Sequence, residues 1–314
     1  MEMDASNNRA SQKLTLGGGS PSVVFVDDYQ IGINSRSRPS IGAVYLFNRI
    51  GSWESASWSQ LQKLVADVSS SSSSSSSSTP TTGADGDQFG HSVSLDGDYL
   101  AVGAPGDDTR GANSGAVYIF SNSSSGQWMQ IQKLTMSEGY CGLNCPSHQD
   151  YSHRQFGFSV SISGSTLVVG EHWIAENGHG PECTTAGAVF VFKKLSSNTF
   201  FIRDQVLTAS DGATGHRFGS SVSISGNTVL VGAPQDDKRG GPRAGAAYVF
   251  HRTSATGAFT QQQKLMATNG KASREFGRAV SLQGDTAAVS SHERYLGPKT
   301  MRKVVQTVSA LASF

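Results

Sequence analysis

An all-β architecture of stacked four-stranded antiparallel sheets is predicted by three observations. The dipeptide Phe-Gly recurs at 89, 156, 218 and 276, about 60 residues apart, a period that marks a repeat architecture. Each copy opens a short segment such as Ser220-Ser221-Val222-Ser223-Ile224-Ser225, where apolar and small polar residues alternate at period two. No copy carries the 3.6-residue apolar period of a helix. Strand units that hide their apolar faces on one another in series make the blades of a β-propeller.

Within one copy the strands follow in order. The alternating Phe-Gly segment is the first. Gly226-Asn227, and Asp96-Gly97 in the copy at 89, supply a tight hairpin turn, where positive φ is cheap for Gly. Val229-Leu230-Val231 is apolar throughout, as a strand covered on both faces must be, and it ends in Gly232-Ala233-Pro234. Gly245-Ala246-Ala247-Tyr248-Val249-Phe250 makes the third strand and Gln261-Gln262-Gln263-Lys264-Leu265 the fourth. Three whole units run Phe89–Leu134, Phe156–Leu207 and Phe218–Leu265. Residues 21–64 match the later part of a unit without its Phe-Gly strand, and Phe276–Val289 repeats only the first two strands. Residues 1–20 are polar and read as disordered. The serine run within 69–84 has nothing to bury and reads as a flexible insertion. Residues 291–314 diverge from every unit.

Phe-Gly, then Gly-Ala-Pro, then Gly-Ala-x-Tyr-x-Phe, in that order over residues 21–290, resembles the FG-GAP repeat of the integrin alpha-subunit N-terminal propeller and its microbial relatives. The resemblance implies a propeller of typically about seven blades. Three whole and two half blades therefore read as an incomplete propeller, an open arc. Alternatively, the C-terminal half supplies strands one and two and the N-terminal half strands three and four of one shared blade. The resemblance also implies a role in adhesion. Some relatives carry a calcium loop between Phe-Gly and Gly-Ala-Pro. Here that interval holds only turns such as Asp96-Gly97-Asp98 and Gln283-Gly284-Asp285, too short to wrap an ion that takes six to eight oxygens. Calcium is therefore not expected, and no cofactor is expected beyond zinc as a minor alternative.

Composition narrows the classes of function. A formal net charge of +1 argues against nucleic acid, and no apolar run reaches the roughly 18 residues of a membrane span. The opening residues are acidic and polar, unlike a secretory signal. There is no Gly-x-Ser-x-Gly, Walker loop or His-Glu-x-x-His, and no nucleophile beside a base, so no enzyme is expected.

The binding candidates lie in loops. Asp107-Asp108 and Asp236-Asp237 recur after the second strand, with Asp27-Asp28 as an earlier counterpart. They read either as Asx turns or as a weak cation or polar-ligand contact. Lys238, Arg239 and Arg243 stand beside the second pair as salt-bridge partners. The second whole unit is the most individual. The loop entering its first strand and the loop leaving its second emerge at one end and carry Cys141, Cys145 and Cys183. A disulfide from Cys183 to either of the others would stabilise by about 2–4 kcal/mol and implies an oxidising compartment. The rival is zinc held by Cys141, Cys145, His148 and Cys183, with His153, His172 or His179 as substitutes. Tyr140, Tyr151, His172 and Trp173 place aromatics there, suited to a protein or glycan ligand. Asn122-Ser123-Ser124 is a glycosylation sequon between strands three and four. The reading is a non-catalytic, extracellular or cell-surface interaction module. The alternatives are an accessory domain of a secreted hydrolase, or a metal site on the blade 156–207.

Overall fold

The structure is a computed structural model. It describes residues 22–27, 42–50, 57–67, 86–136, 153–171, 186–194, 200–237, 241–268, 270–293 and 302–309, of which 22–27, 293 and 302–309 as backbone alone. The N-terminal twenty residues and the serine tract lie outside them. No helix among the described residues is long and apolar enough to cross a membrane.

Among the described residues eighteen strands form five antiparallel sheets. Blade 1 holds β1 (Ser22–Asp27), β2 (Ala43–Ile50) and β3 (Ser57–Leu64). Blade 2 holds β4 (Ser92–Asp96), β5 (Tyr99–Ala104), β6 (Ala116–Asn122) and β7 (Trp128–Thr135). Blade 3 holds β8 (Phe156–Ser163), β9 (Thr166–Glu171), β10 (Ala188–Lys194) and β11 (Phe201–Leu207). Blade 4 holds β12 (Ser221–Ser225), β13 (Thr228–Ala233), β14 (Ala246–His251) and β15 (Thr260–Leu265). Blade 5 holds β16 (Val280–Gln283), β17 (Thr286–Glu293) and β18 (Arg302–Ser309). In every blade the strands pair in chain order. The first hairpin turn centres on Gly97-Asp98, one residue later than expected, because Asp96 pairs with Tyr99. Only the Gly takes positive φ, and likewise Gly226 but not Asn227, the pattern of a turn with Gly first.

Each flanking unit is richer than half a blade. β1 and β2–β3 stand for strands two, three and four, and the divergent C-terminal segment supplies a third strand, β18, along all eight residues of β17. Arg302–Ser309 lacks the Gly-Ala-x-Tyr-x-Phe signature, but a backbone ladder needs β-branched residues rather than a motif, and Val304, Val305, Thr307 and Val308 provide them. The two flanking sheets remain separate, so the shared blade is not formed and the propeller is open.

Four apolar cores lie between consecutive blades, each sealed by side chains of two sheets. The Phe of Phe-Gly stands in each of them. Phe89 meets Tyr118 and Phe120 edge-on, Phe156 meets Phe190 and Phe192, and Phe218 meets Tyr248 and Phe250, with centroids 5.4–6.1 Å apart. The backbones themselves interlock. A Cβ on Gly103, Gly170 or Gly232 would overlap the carbonyl oxygen of the next blade's Gly157, Gly219 or Gly277, so only glycine permits this approach. The serine face of each first strand completes the join. Ser92, Ser159 and Ser221 donate to those same glycine carbonyls at 2.7–2.8 Å, while Ser94, Ser161 and Ser223 accept from Ile162, Ile224 and Leu282 N–H at 3.0–3.1 Å. The period-two pattern thus separates an apolar face from a hydrogen-bonding face, and a neighbouring blade covers both.

Candidate functional site

The end of each blade where strand one enters and strand two leaves gathers the charged side chains. In blade 2, Asp107 lies just beyond β5 and is buried. Its Oδ2 accepts from Tyr118 Oη at 2.9 Å and pairs with Lys133 Nζ at 2.8 Å, and its Oδ1 accepts from Thr109 N–H at 2.9 Å, closing an Asx turn. Lys133 also stands 5.1 Å over the Tyr118 ring. Burial pushes the Asp107 carboxyl up, but the hydrogen bonds from Lys133 and Thr109 outweigh it and hold the group below its ordinary value. Burial and the Asp107 charge push the Tyr118 phenol well above its own. Asp108 is exposed and accepts from Asn113 N–H at 2.6 Å.

Blade 4 repeats the arrangement and enlarges it. Asp236 Oδ2 receives Tyr248 Oη at 2.7 Å and Lys264 Nζ at 2.8 Å. Lys264 reaches Asp211 as well, at 2.6 Å, and Tyr248 does so at 2.8 Å. Burial would raise the Asp211 carboxyl, yet Lys264 and Tyr248 hold it low. His216, buried two residues before Phe218, faces Asp236 Oδ2 at 3.4 Å through Nδ1 and Asp237 Oδ1 at 2.9 Å through Nε2. The Asp237 side chain is 59% exposed and that of Asp211 40%, so this blade presents two carboxylates to solvent beside the buried Asp236, with Lys264 shared between Asp211 and Asp236.

Blade 3 departs from both. Phe190 and Val206 occupy the positions of the Tyr and the Lys. A different pair is buried: Arg154, two residues before Phe156, meets Glu171 at 3.1 Å. Burial raises the Glu171 carboxyl, against the pull of Arg154. The pair ties together the residues that adjoin the segments 137–152 and 172–185 in the chain. Tyr140, Tyr151, His172, Trp173, Cys141, Cys145, Cys183, His148 and His179 lie outside the described residues, as do Asp28, Lys238 and Arg239. His153, next to Arg154, is exposed.

The sequence brought forward Asp107, Asp108, Asp236 and Asp237 but not their partners. Tyr118, Tyr248, Lys133 and Lys264 sit at fixed places in Gly-Ala-x-Tyr-x-Phe and Gln-x-Lys-Leu or Gln-Lys-Leu segments, and that covariation was the available signal. Arg243 does not join the Asp236 cluster, because Lys264 from β15 fills the place assigned to it. Asn122 is the last residue of β6 rather than part of the turn. It pairs with Trp128 and its Oδ1 is buried, because the ladder runs two residues beyond Phe120. Among the described residues no three His, Cys, Asp or Glu side chains form a metal-holding group.

Comparison with known families bears on this geometry. A family model described as FG-GAP repeat matches residues 73–120, 150–192, 202–250 and 259–299, together more than half of the chain. The chain belongs to the FG-GAP repeat family. No curated protein sequence matches it. Solved structures similar to this FG-GAP chain include Sqt1 of Saccharomyces cerevisiae, at 12% identity and TM-score 0.35, covering 64% of this chain and 41% of that one. A putative 6-phosphogluconolactonase from Bacteroides uniformis has 12% identity and TM-score 0.44, covering 86% and 64%. A family 43 arabinoxylan arabinofuranohydrolase from Bacillus subtilis has 13% identity and TM-score 0.41, covering 87% and 56%. The chain thus spans less than two thirds of each of these proteins, and likenesses at this level carry nothing about activity.

Proposed function

We propose that this FG-GAP chain is a non-catalytic interaction module, a rigid row of blades that presents loops for a protein or glycan ligand at the cell surface or outside the cell. The observation that carries the reading is the buried Arg154–Glu171 pair, which fixes the residues that adjoin segments 137–152 and 172–185 on one blade. The chemistry that recurs from blade to blade is engaged internally: Phe, Gly and Ser in the joins, Asp, Tyr and Lys in the buried clusters. Chemistry left for a ligand therefore falls to the connecting loops, as it does on rigid scaffolds generally. In this reading Tyr140, Tyr151, His172 and Trp173 form the contact surface, a disulfide from Cys183 to Cys141 or Cys145 braces it, and Asp108 and Asp237 contribute exposed carboxylates on neighbouring blades.

The test is a glycan-array and pull-down screen on the purified chain, with Trp173→Ala and the double variant Asp108→Ala/Asp237→Ala run beside it. Loss of binding in Trp173→Ala, with an unchanged β-type circular dichroism spectrum, supports the blade 3 loops. Undiminished binding removes them. Thiol titration with mass spectrometry decides between a bridge and three free cysteines.

A further inference from the structure

The join of blades 2 and 3 and the join of blades 4 and 5 present the same four surface positions. Two of them are the residues just before the Phe of each blade, Gln88 and Gln155 in the first join, Arg217 and Glu275 in the second. All four take positive φ, between 48° and 58°, and none is buried, although the Phe beside each one is. The third position precedes the third strand. Asn113 C=O there accepts from Gln155 N–H, and Arg243 C=O from Glu275 N–H, both at 3.0 Å. The fourth position follows Phe-Gly and holds Phe158 in the first join and Arg278 in the second. Blades 2 and 3 thus fill the set with Gln88, Asn113, Gln155 and Phe158, which carry no charge. Blades 4 and 5 fill it with Arg217, Arg243, Glu275 and Arg278, a local excess of two positive charges.

The fold does not ask for these charges, since a neutral set occupies the same backbone, and two features count against them. Arg243 stands at φ 56° where its counterpart Asn113 stands at 52°. Asn is at home in that left-handed region and Arg is not. Arg217 is half-buried. Burial pushes its guanidinium below its ordinary value, and the Arg243 and Arg278 charges add to the shift against the pull of Glu275. The carboxylate of the set is already committed, for Glu275 Oε2 pairs with Arg278 Nη1 at 2.8 Å. Neither Arg217 nor Arg243 makes a side-chain hydrogen bond with any described residue, and Asp237 of the same blade is turned to His216 at 2.9 Å. Backbone strain and like-charge crowding that the fold does not need are the marks of a ligand clamp.

We propose that Arg217, Arg243 and Arg278 form an oxyanion site at the join of blades 4 and 5, and that it takes a phosphate monoester group. The site goes beyond the loop reading above and does not rest on it. A phosphate monoester carries about two negative charges at neutral pH, which matches the local excess. A sulfate monoester of the same shape has a singly charged head and leaves the set half neutralised. Guanidinium is a planar, permanently charged fork that binds such oxygens two at a time. The join supplies a rigid base for it: Ser221 donates to Gly277 C=O at 2.8 Å, and a Cβ on Gly232 would overlap that same carbonyl. The backbones that carry Arg217 and Arg278 are therefore held at a fixed spacing.

Calorimetric titration of the full chain at low ionic strength with phenyl phosphate and phenyl sulfate, an isosteric pair, tests this. Wild type is expected to bind phenyl phosphate with a dissociation constant of about 1 mM or lower, and phenyl sulfate about tenfold more weakly. Inorganic phosphate is expected to displace phenyl phosphate, since the oxyanion and not the ring is recognised. Arg217→Gln and Arg243→Asn each install the residue that blade 2 carries at the same position, so both should keep the β-type dichroism spectrum. Each is expected to weaken phenyl phosphate binding about tenfold. Glu275→Gln removes the opposing charge and is expected to tighten binding about threefold, a gain that misfolding cannot produce. Trp173→Ala should leave it unchanged, whatever that variant does to a protein or glycan ligand. Absence of binding to wild type, arginine variants that bind as tightly as wild type, or phenyl sulfate held as tightly as phenyl phosphate would each overturn the proposal. So would inorganic phosphate that fails to compete, a Glu275→Gln variant that binds no tighter, or a loss in Trp173→Ala, which would move the binding to the blade 3 loops.

Discussion

Blades 2 and 3 share a backbone, a Phe-Gly start and a Gly at the same join, yet they solve the loop-end interior in opposite ways. Blade 2 buries Asp107, Tyr118 and Lys133 as a mutually bonded set. Blade 3 replaces the Tyr by Phe190 and the Lys by Val206, and buries Arg154 with Glu171 where blades 2 and 4 have Ala104 and Ala233 at the end of the second strand. A half-kept set occurs in neither. The physical reason is the asymmetry of buried polar groups: a complete network is close to neutral against an apolar core, whereas one orphaned member carries its full desolvation penalty. The blades therefore tolerate exchange of whole sets and not of single members.

The largest effect should come from splitting a set. Lys133→Met leaves Asp107 charged and nearly inaccessible, and should destabilise by about 3–5 kcal/mol, read from the urea midpoint. The matching change in blade 3, Arg154→Met, strands a Glu171 that burial already drives toward its neutral form, so its penalty should be smaller and should fade in acid. Equal penalties at neutral pH would break the comparison. Next in size is Tyr118→Phe, which removes one donor from Asp107 and should cost about 1–2 kcal/mol. The reciprocal Phe190→Tyr places a hydroxyl in a site with no carboxylate shown to receive it, and should also destabilise. Smaller still is the threefold change Asp107→Ala, Tyr118→Phe and Lys133→Val, which gives blade 2 the apolar character of blade 3. Its penalty should stay near 1 kcal/mol, well below that of Lys133→Met alone.

These clusters also mark the limit of what the sequence disclosed. The blades were legible because Phe, Gly and the alternating serines are required by the join itself: a strand that meets glycine carbonyls and neighbouring N–H groups on one side and a core on the other must read that way. β18 was not legible, since pairing with β17 asks only for extended backbone and β-branched residues. At the site, Asp107 and Asp236 could be seen from their adjacency to Gly-Ala-Pro, but their partners come from strands three and four, 11 to 28 residues further on. Neither the Arg154–Glu171 pair nor the set of Arg217, Arg243, Glu275 and Arg278 had a signal in one copy alone. They emerge only when registers of several blades are laid over one another in three dimensions.

The finest division between the two blades is their dependence on pH, with opposite signs. Asp107 is held below its ordinary value near 3.8 in the folded chain, so the unfolded chain binds the proton more readily. Its contribution is present above that value and is lost as the pH falls through the acid range toward the folded value. Glu171 is raised above its ordinary value near 4.5. The folded chain then binds the proton more readily, so this contribution is complete below that value and declines as the pH rises through the folded one. Thermal midpoints followed by circular dichroism from about pH 3 to pH 8 separate the two. Asp107→Asn should flatten the acid limb, because the group whose protonation penalises the fold is gone. Glu171→Gln should gain on wild type as the pH rises, because a neutral amide no longer has to lose a proton inside blade 3. If both variants shifted the profile in the same direction, the two buried carboxyls would not be shifted in opposite directions, and the account of whole-set exchange would fail with it.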